Sequence, residues 1–235
     1  MTEKHILNAY GIRKTYRSGS DTLLILDDVS LKLYPGDFVS LMGVSGSGKS
    51  TFLNILGTMD APDTGHVLIH GIDTVCLKES ELAEFRRKHI GFVFQFHYLL
   101  PEFSICENVA MPLMIAGESR THALKKALEL MDYLGIVERR DHFPAEISGG
   151  EKQRAAICRA LIARPDIIFA DEPTGNLDRE TGNQVLNLFQ KINRDFKQCF
   201  FLVTHDESIG AIASRQYLLK DATLIEKKGE LVSCL

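Results

Sequence analysis

The chain has 235 residues, 45% of them hydrophobic, enough to bury a sizeable core as one domain or one domain with a lobe. A formal net charge of −4 excludes the broad electrostatic footprint of a nucleic-acid binder. The cysteines at 76, 106, 158, 199 and 234 are odd in number and scattered, signalling neither a disulfide framework nor a zinc site; no run approaches the ~18 consecutive apolar residues of a membrane span, so any membrane role depends on other chains.

The opening MTEKHILNAYG carries no apolar leader segment, and a reducing cytosol is the expected setting. Tyr16, in KTYRSGSD, is an aromatic able to stack on a base. FVSLM at 38–42 reads as a buried strand, followed by GVSGSGKS at 43–50 and the helix-like STFLNILG. That order is the context G-x-x-x-x-G-K-[ST] requires. Gly43, Gly46 and Gly48 let the backbone wrap phosphates, Lys49 reaches the β- and γ-phosphates, and Ser50 ligates Mg²⁺. Val44, Ser45, Ser47 and Thr51 complete the expected nucleotide contacts.

IGFVF at 90–94 is a second strand and ends at Gln95. From about 105 to 163 the pattern turns helical, including 121–135 and 150–164, which predicts a helical lobe inserted into an α/β core with a largely parallel sheet. Within 95–115, Phe96, Tyr98, Leu99, Leu100 and Phe103 crowd apolar surface around Pro101, as a docking groove would, or as ordinary lobe core. In ISGGEKQR at 147–154, Ser148 and Glu151 match a capping box. Gly149 and Gly150 fall in the first turn, where glycine costs roughly 0.5–1 kcal/mol each. Bare backbone at a helix N-terminus is an anion site, which would offset that cost.

IIFADE at 167–172 places Asp171 and Glu172 at the end of a buried strand, the first to hold Mg²⁺ and the second to polarise the attacking water. Either alone could instead cap the turn before Pro173. CFFLV at 199–203 leads through Thr204 to His205. Gln95 and His205 each follow an apolar strand at the sheet edge where α/β proteins bind ligands, and both are expected to face the γ-phosphate.

In this order the motifs resemble the ATP-binding subunits of ABC transporters over essentially the whole chain. Tyr16 matches the aromatic adenine position, GVSGSGKS the Walker A loop, Gln95 the Q-loop and ISGGE the signature motif. IIFADE matches Walker B, GNLD at 175–178 the D-loop, and His205 the switch histidine. Ile147 and Glu151 depart from the usual leucine and glutamine of LSGGQ.

The resemblance implies an α/β P-loop NTPase core at about 1–95 and 165–235, a helical lobe at about 96–164 and an N-terminal antiparallel β region, all within one nucleotide-binding domain. It implies ATP with Mg²⁺ held by Ser50, Gln95 and Asp171, and hydrolysis by Glu172 with Gln95 and His205. It also implies a head-to-tail dimer in which Ser148, Gly149 and Gly150 of one subunit close on the γ-phosphate held by the other. Each motif occurs once, so a second ATPase subunit is needed, most simply a second copy of this chain.

Segment 95–115 resembles most closely the lipoprotein-releasing branch of the family, more than the macrolide-exporter or cell-division branches. Such a subunit is peripheral to the cytoplasmic face of the inner membrane, docks integral membrane subunits near 95–115 and touches no cargo directly. Among rivals, a DNA-clamping ATPase of the SMC or repair type wants a long coiled coil between the Walker motifs, and 50–171 shows no sustained heptads. A P-loop small-molecule kinase would not require ISGGE or GNLD, and an ABC protein acting on ribosomes usually carries two ATPase units.

Overall fold

The computed structural model describes residues 5–19 and 21–227. Strand β1 (Leu7–Ser18) pairs antiparallel with β2 (Asp21–Leu33), from Leu7 opposite Leu33 to Ser18 opposite Asp21. Along β2, Leu26, Val29, Leu31 and Leu33 are buried while Ser30 and Lys32 are exposed, the alternation of a sheet with one face on a core. β3 (Phe38–Met42) is buried at every position, as expected for a strand covered on both faces. After it come helix α1 (Lys49–Leu56), β4 (Thr64–Ile69) and β5 (Ile72–Asp73). β4 joins β1 and β5, giving an antiparallel sheet in the order β2, β1, β4, β5. The β1 register shifts beside Gly11, whose φ is +64°, and a Cβ on Gly65 of β4 would lie 2.4 Å from the Gly11 carbonyl oxygen. That bulge exists because two glycines let the strands close on each other.

The chain then enters a second compact unit, Ala83–Gln198, within α2 (Glu79–His89). Glu79 and Glu81 open this helix and Arg86, Arg87, Lys88 and His89 close it, each sign at the dipole end that favours it. β6 (Ile90–Phe94) is followed by α3 (Ile105–Ile115), α4 (Arg120–Tyr133), α5 (Gly149–Leu161), β7 (Ile167–Asp171) and α6 (Arg179–Phe196). Their starts are written in side chains: Ser104, Ser119, Ser148 and Asp178 each accept a bond from a backbone N–H of the first turn. Ala155, Ala156, Ile157 and Cys158 are all buried, so α5 is covered nearly all round at this turn. A Cβ on Gly91 of β6 would sit 2.6 Å from the Ala160 carbonyl oxygen, so this glycine sets how closely α5 lies on the strand. β6 and β7 pair in parallel, Ile90 opposite Ile167 through Phe94 opposite Asp171.

β8 (Cys199–Val203) returns the chain to the first unit, followed by α7 (Glu207–Gly210), β9 (Arg215–Lys220) and β10 (Thr223–Lys227). β8 and β9 flank β3 in parallel, and β10 pairs antiparallel with β9. The β9–β10 turn puts Asp221 and Ala222 at φ +49° and +61°, the left-handed pair that a two-residue hairpin needs. Phe38 against Phe200 and Phe52 against Phe201 meet edge to face, with centroids 5.5 and 6.2 Å apart. Among the described residues no helix is long and apolar enough to cross a membrane.

Candidate active site

In the first unit, fully buried β3 delivers the chain into the 43–48 loop, and α1 begins at Lys49. Gly46 and Gly48 sit at φ +77° and +98°, where a side chain is strained. A Cβ on Gly43 would lie 2.6 Å from the Leu219 carbonyl oxygen, so no larger residue fits. The N-cap of α1 is Gly48, with no side-chain cap and no acidic residue in the first turn, and the buried Ser47 hydroxyl has no partner. Buried Lys49 reaches back over the loop, its Nζ donating to the Gly43 and Val44 carbonyls at 2.9 and 3.0 Å. Uncapped N–H groups, an orphaned hydroxyl and an ammonium gathered on one loop fit a polyphosphate. Val44, Ser45, Gly46 and Ser50 are exposed around them, with Thr51 half-buried.

Tyr16 lies on β1 with its ring 44% exposed, and its hydroxyl donates to Asp60 Oδ2 at 3.1 Å. Lys14 pairs with the same carboxylate at 2.8 Å. Burial would raise the Asp60 pKa, but the bonds from Lys14 and Tyr16 outweigh it and hold it low. His205 is exposed two residues beyond β8, where the Thr204 N–H donates to the Leu41 carbonyl at 3.1 Å and ties the strand end to β3.

In the second unit, Phe94 opposite Asp171 means that Gln95 and Glu172 leave the β6–β7 pair at the same edge. Glu172 takes φ +44°, a left-handed backbone rarely adopted outside glycine and concentrated at functional sites. The Gly175 N–H donates to the Glu172 carbonyl at 3.0 Å, closing a turn. Asn176 then meets Gln95 twice: its Nδ2 donates to the Gln95 carbonyl and its Oδ1 accepts from Gln95 Nε2, both at 3.0 Å.

The capping box at the start of α5 is formed: Glu151 N–H donates to Ser148 Oγ at 3.3 Å, and Ser148 N–H and Oγ each donate to Glu151 Oε2 at 2.8 Å. Arg139 Nε donates to the other oxygen at 2.7 Å, and with the Ser148 N–H it pulls the Glu151 carboxyl down to about 2. Ser148 and Gly149 are exposed. The two glycines also have a packing role inside the chain, which sequence reasoning missed. A Cβ on Gly149 would reach Leu177 at 3.3 Å, and one on Gly150 would reach Thr181 at 2.5 Å.

Phe96, Tyr98, Leu100 and Phe103 are all exposed, at 66, 62, 43 and 37%, so they form a surface rather than lobe core, with Leu99 half-buried among them. His97 and Tyr98 are both left-handed, at φ +60° and +47°. Arg159 of α5 holds this kink, donating through Nη2 to the His97 carbonyl and through Nη1 to that of Tyr98. Buried Asn108 of α3 binds the Leu100 N–H and carbonyl and the Phe103 and Ser104 carbonyls, fixing the rest of the turn. Neither residue stands out by sequence pattern; an arginine interrupting the otherwise uncharged run 155–161 of α5 was the available signal.

The family described as ABC transporter matches residues 26–175. The lipoprotein-releasing system ATP-binding protein LolD of Bacteroides fragilis is 46% identical over 220 residues, covering 94% of this chain and 100% of that protein. The protein of the same name from Bordetella pertussis is 44% identical over 218 residues, 93% of this chain and 94% of its own. The dimeric ATP-binding cassette MJ0796 in a post-hydrolysis state bound to ADP and Pi is 39% identical with a TM-score of 0.86, covering 94% of this chain and 97% of that one.

Proposed function

Because this chain belongs to the ABC transporter family, we propose that it is the ATP-hydrolysing subunit of a lipoprotein-releasing complex, working as a head-to-tail homodimer beneath integral membrane subunits. The observation that carries the reading is the exposed apolar kink at 96–103, which follows Gln95 directly and so links a docking surface to a catalytic side chain. Likeness over nearly the full length to proteins named for lipoprotein release, and to a dimeric cassette, supports the choice of system and assembly. The cytoplasmic face of the inner membrane is the site of action this reading gives. An ATPase of the macrolide-exporter or cell-division type is the nearest alternative.

On this reading Lys49 and the N–H groups of the 43–50 loop hold the β- and γ-phosphates, and Tyr16 stacks on adenine. Ser50, Gln95 and Asp171 hold Mg²⁺; a hydroxyl, an amide carbonyl and a carboxylate are all oxygen donors, the set a hard cation takes. When bound, the ion neutralises charge building on the phosphate oxygens. Glu172 accepts the proton of the attacking water, and His205 orients the γ-phosphate. Ser148, Gly149 and Gly150 of the second copy close on that phosphate from the other side.

The test is purification from membranes with the chain tagged, identification of the bound subunits, and reconstitution of the complex with an acylated lipoprotein in vesicles. ATP-dependent release by the native complex, abolished by Glu172→Gln while ATP still binds, is expected; loss of a general base costs about 10²–10⁴ in rate. A complex that hydrolyses ATP but exports a small molecule and leaves the lipoprotein in place would replace this cargo with the alternative.

A further inference from the structure

The pair of hydrogen bonds between Asn176 and Gln95 fixes the orientation of both amides. Only the NH₂ end of Asn176 can face the Gln95 carbonyl oxygen, since an oxygen there would set two acceptors together. That fixes Oδ1 on the side of the Gln95 side chain, and only the NH₂ end of Gln95 can meet it. Gly175 permits the arrangement: a Cβ there would lie 2.8 Å from Gln95 Nε2 and 3.1 Å from Cδ. The Gly175 N–H is in turn bonded to the Glu172 carbonyl, so the turn holding Asn176 is anchored to the expected general base.

We propose that Asn176 is a positioning residue that takes up the nitrogen end of the Gln95 amide and thereby presents Gln95 Oε1 as the cation ligand. The proposal rests on the reading of Gln95 as a Mg²⁺ ligand. A hard cation accepts the amide oxygen and rejects the NH₂, so an amide free to turn over would spend part of its time with the wrong atom forward. Partners that orient a ligand in this way typically contribute 10–100-fold in metal affinity.

The test measures Mn²⁺ affinity for the ATP-loaded Glu172→Gln protein by electron paramagnetic resonance, alongside the Mg²⁺ concentration that half-saturates hydrolysis in proteins with native Glu172. Asn176→Leu, of similar size but without either bond, should weaken Mn²⁺ about 10-fold while metal-free binding of a fluorescent ATP analogue stays unchanged. Asn176→Ser, whose hydroxyl cannot span both groups, provides a milder second variant with the same expected direction. In a Gln95→Ala background neither change should weaken Mn²⁺ further, because the two residues act as one unit. Native Mn²⁺ affinity in both Asn176 variants, with a loss in Gln95→Ala, would overturn the positioning role and leave Gln95 as a ligand. Native affinity in Gln95→Ala itself would overturn the reading of Gln95 and the proposal with it.

Discussion

A Cβ on Gly150 would come within 2.5 Å of Thr181 Cγ2. Thr181 cannot turn away freely, because its N–H and Oγ1 both bond to Asp178, at 3.0 and 2.6 Å. Gly150→Ala should therefore destabilise the protein by about 1–3 kcal/mol through overpacking. Thr181→Ser removes the offending methyl and keeps the hydroxyl, so the double variant should recover most of the loss. Urea unfolding of the three proteins measures this, and a single variant as stable as the native chain would show that Thr181 gives way.

Ser148 is the better probe of an action on the second subunit's nucleotide, since it is exposed and its hydroxyl bonds within its own capping box. Ser148→Arg combined with Glu172→Gln should bind ATP yet fail to form the ATP-dependent dimer on size exclusion. Mixed with Lys49→Ala subunits, it should form heterodimers in which one site carries both lesions and the other neither, detectable by ATP-driven cross-linking. A role limited to capping predicts a loss of about 0.5–2 kcal/mol with dimerisation intact.

Charge on the docking surface should separate folding from assembly. Phe96 is 66% exposed, so Phe96→Asp should change the isolated subunit's stability by less than about 0.5 kcal/mol and leave ATP binding native. Leu99→Asp should act the same way on assembly, at more risk to folding. Burying an unpaired carboxylate against a membrane partner is costly, and co-purification of the membrane subunits should be lost. Their retention would place the docking surface elsewhere.

Glu151 gives a pH prediction. Its carboxyl is pulled from an ordinary 4.5 to about 2, first by Arg139 and then by the Ser148 N–H. A depressed value means the contribution is complete above about pH 4.5 and is lost as pH falls towards 2. Glu151→Gln keeps the capping bonds and loses the ion pair. The melting-temperature gap between native and variant proteins should be flat above pH 5, narrow below 4.5 and close near 2. A gap that stays constant across that range would mean the pair adds nothing to stability.

Much of the fold was legible because its strands are short buried runs with clear ends: 38–42, 90–94, 167–171 and 199–203 coincide with β3, β6, β7 and β8. The helices predicted at 121–135 and 150–164 shift by one residue at the start and two or three at the end, to Arg120–Tyr133 and Gly149–Leu161. Their N-caps fix the first boundary; at the far end α4 closes on a left-handed glycine, Gly135 at φ +70° just past its C-cap Leu134, whereas α5 has no glycine there and turns at Arg164, φ +52°. The tight glycine turn at 43–48 was legible, since Gly46 and Gly48 do take positive φ and Gly43 has no room for a side chain. Gly149 and Gly150 were half legible, since the spacing showed that they were unusual but not that Leu177 and Thr181 lie against them. Arg159, Asn108 and Asn176 were hidden because their partners are carbonyls and amides of other segments, which leave no periodic trace.

The left-handed backbone of His97 and Tyr98 bears on how quickly and selectively a partner is met. Consecutive non-glycine residues in that conformation are unfavourable by about 1–2 kcal/mol each on their own, and the guanidinium of Arg159 is what holds them there. The aromatic side chains they carry are thus shaped when the chain folds, and little conformational freedom remains to be lost when another surface arrives. On the proposed reading, recognition at this kink is lock and key: a partner that does not match its contour gains nothing from waiting for it to adapt.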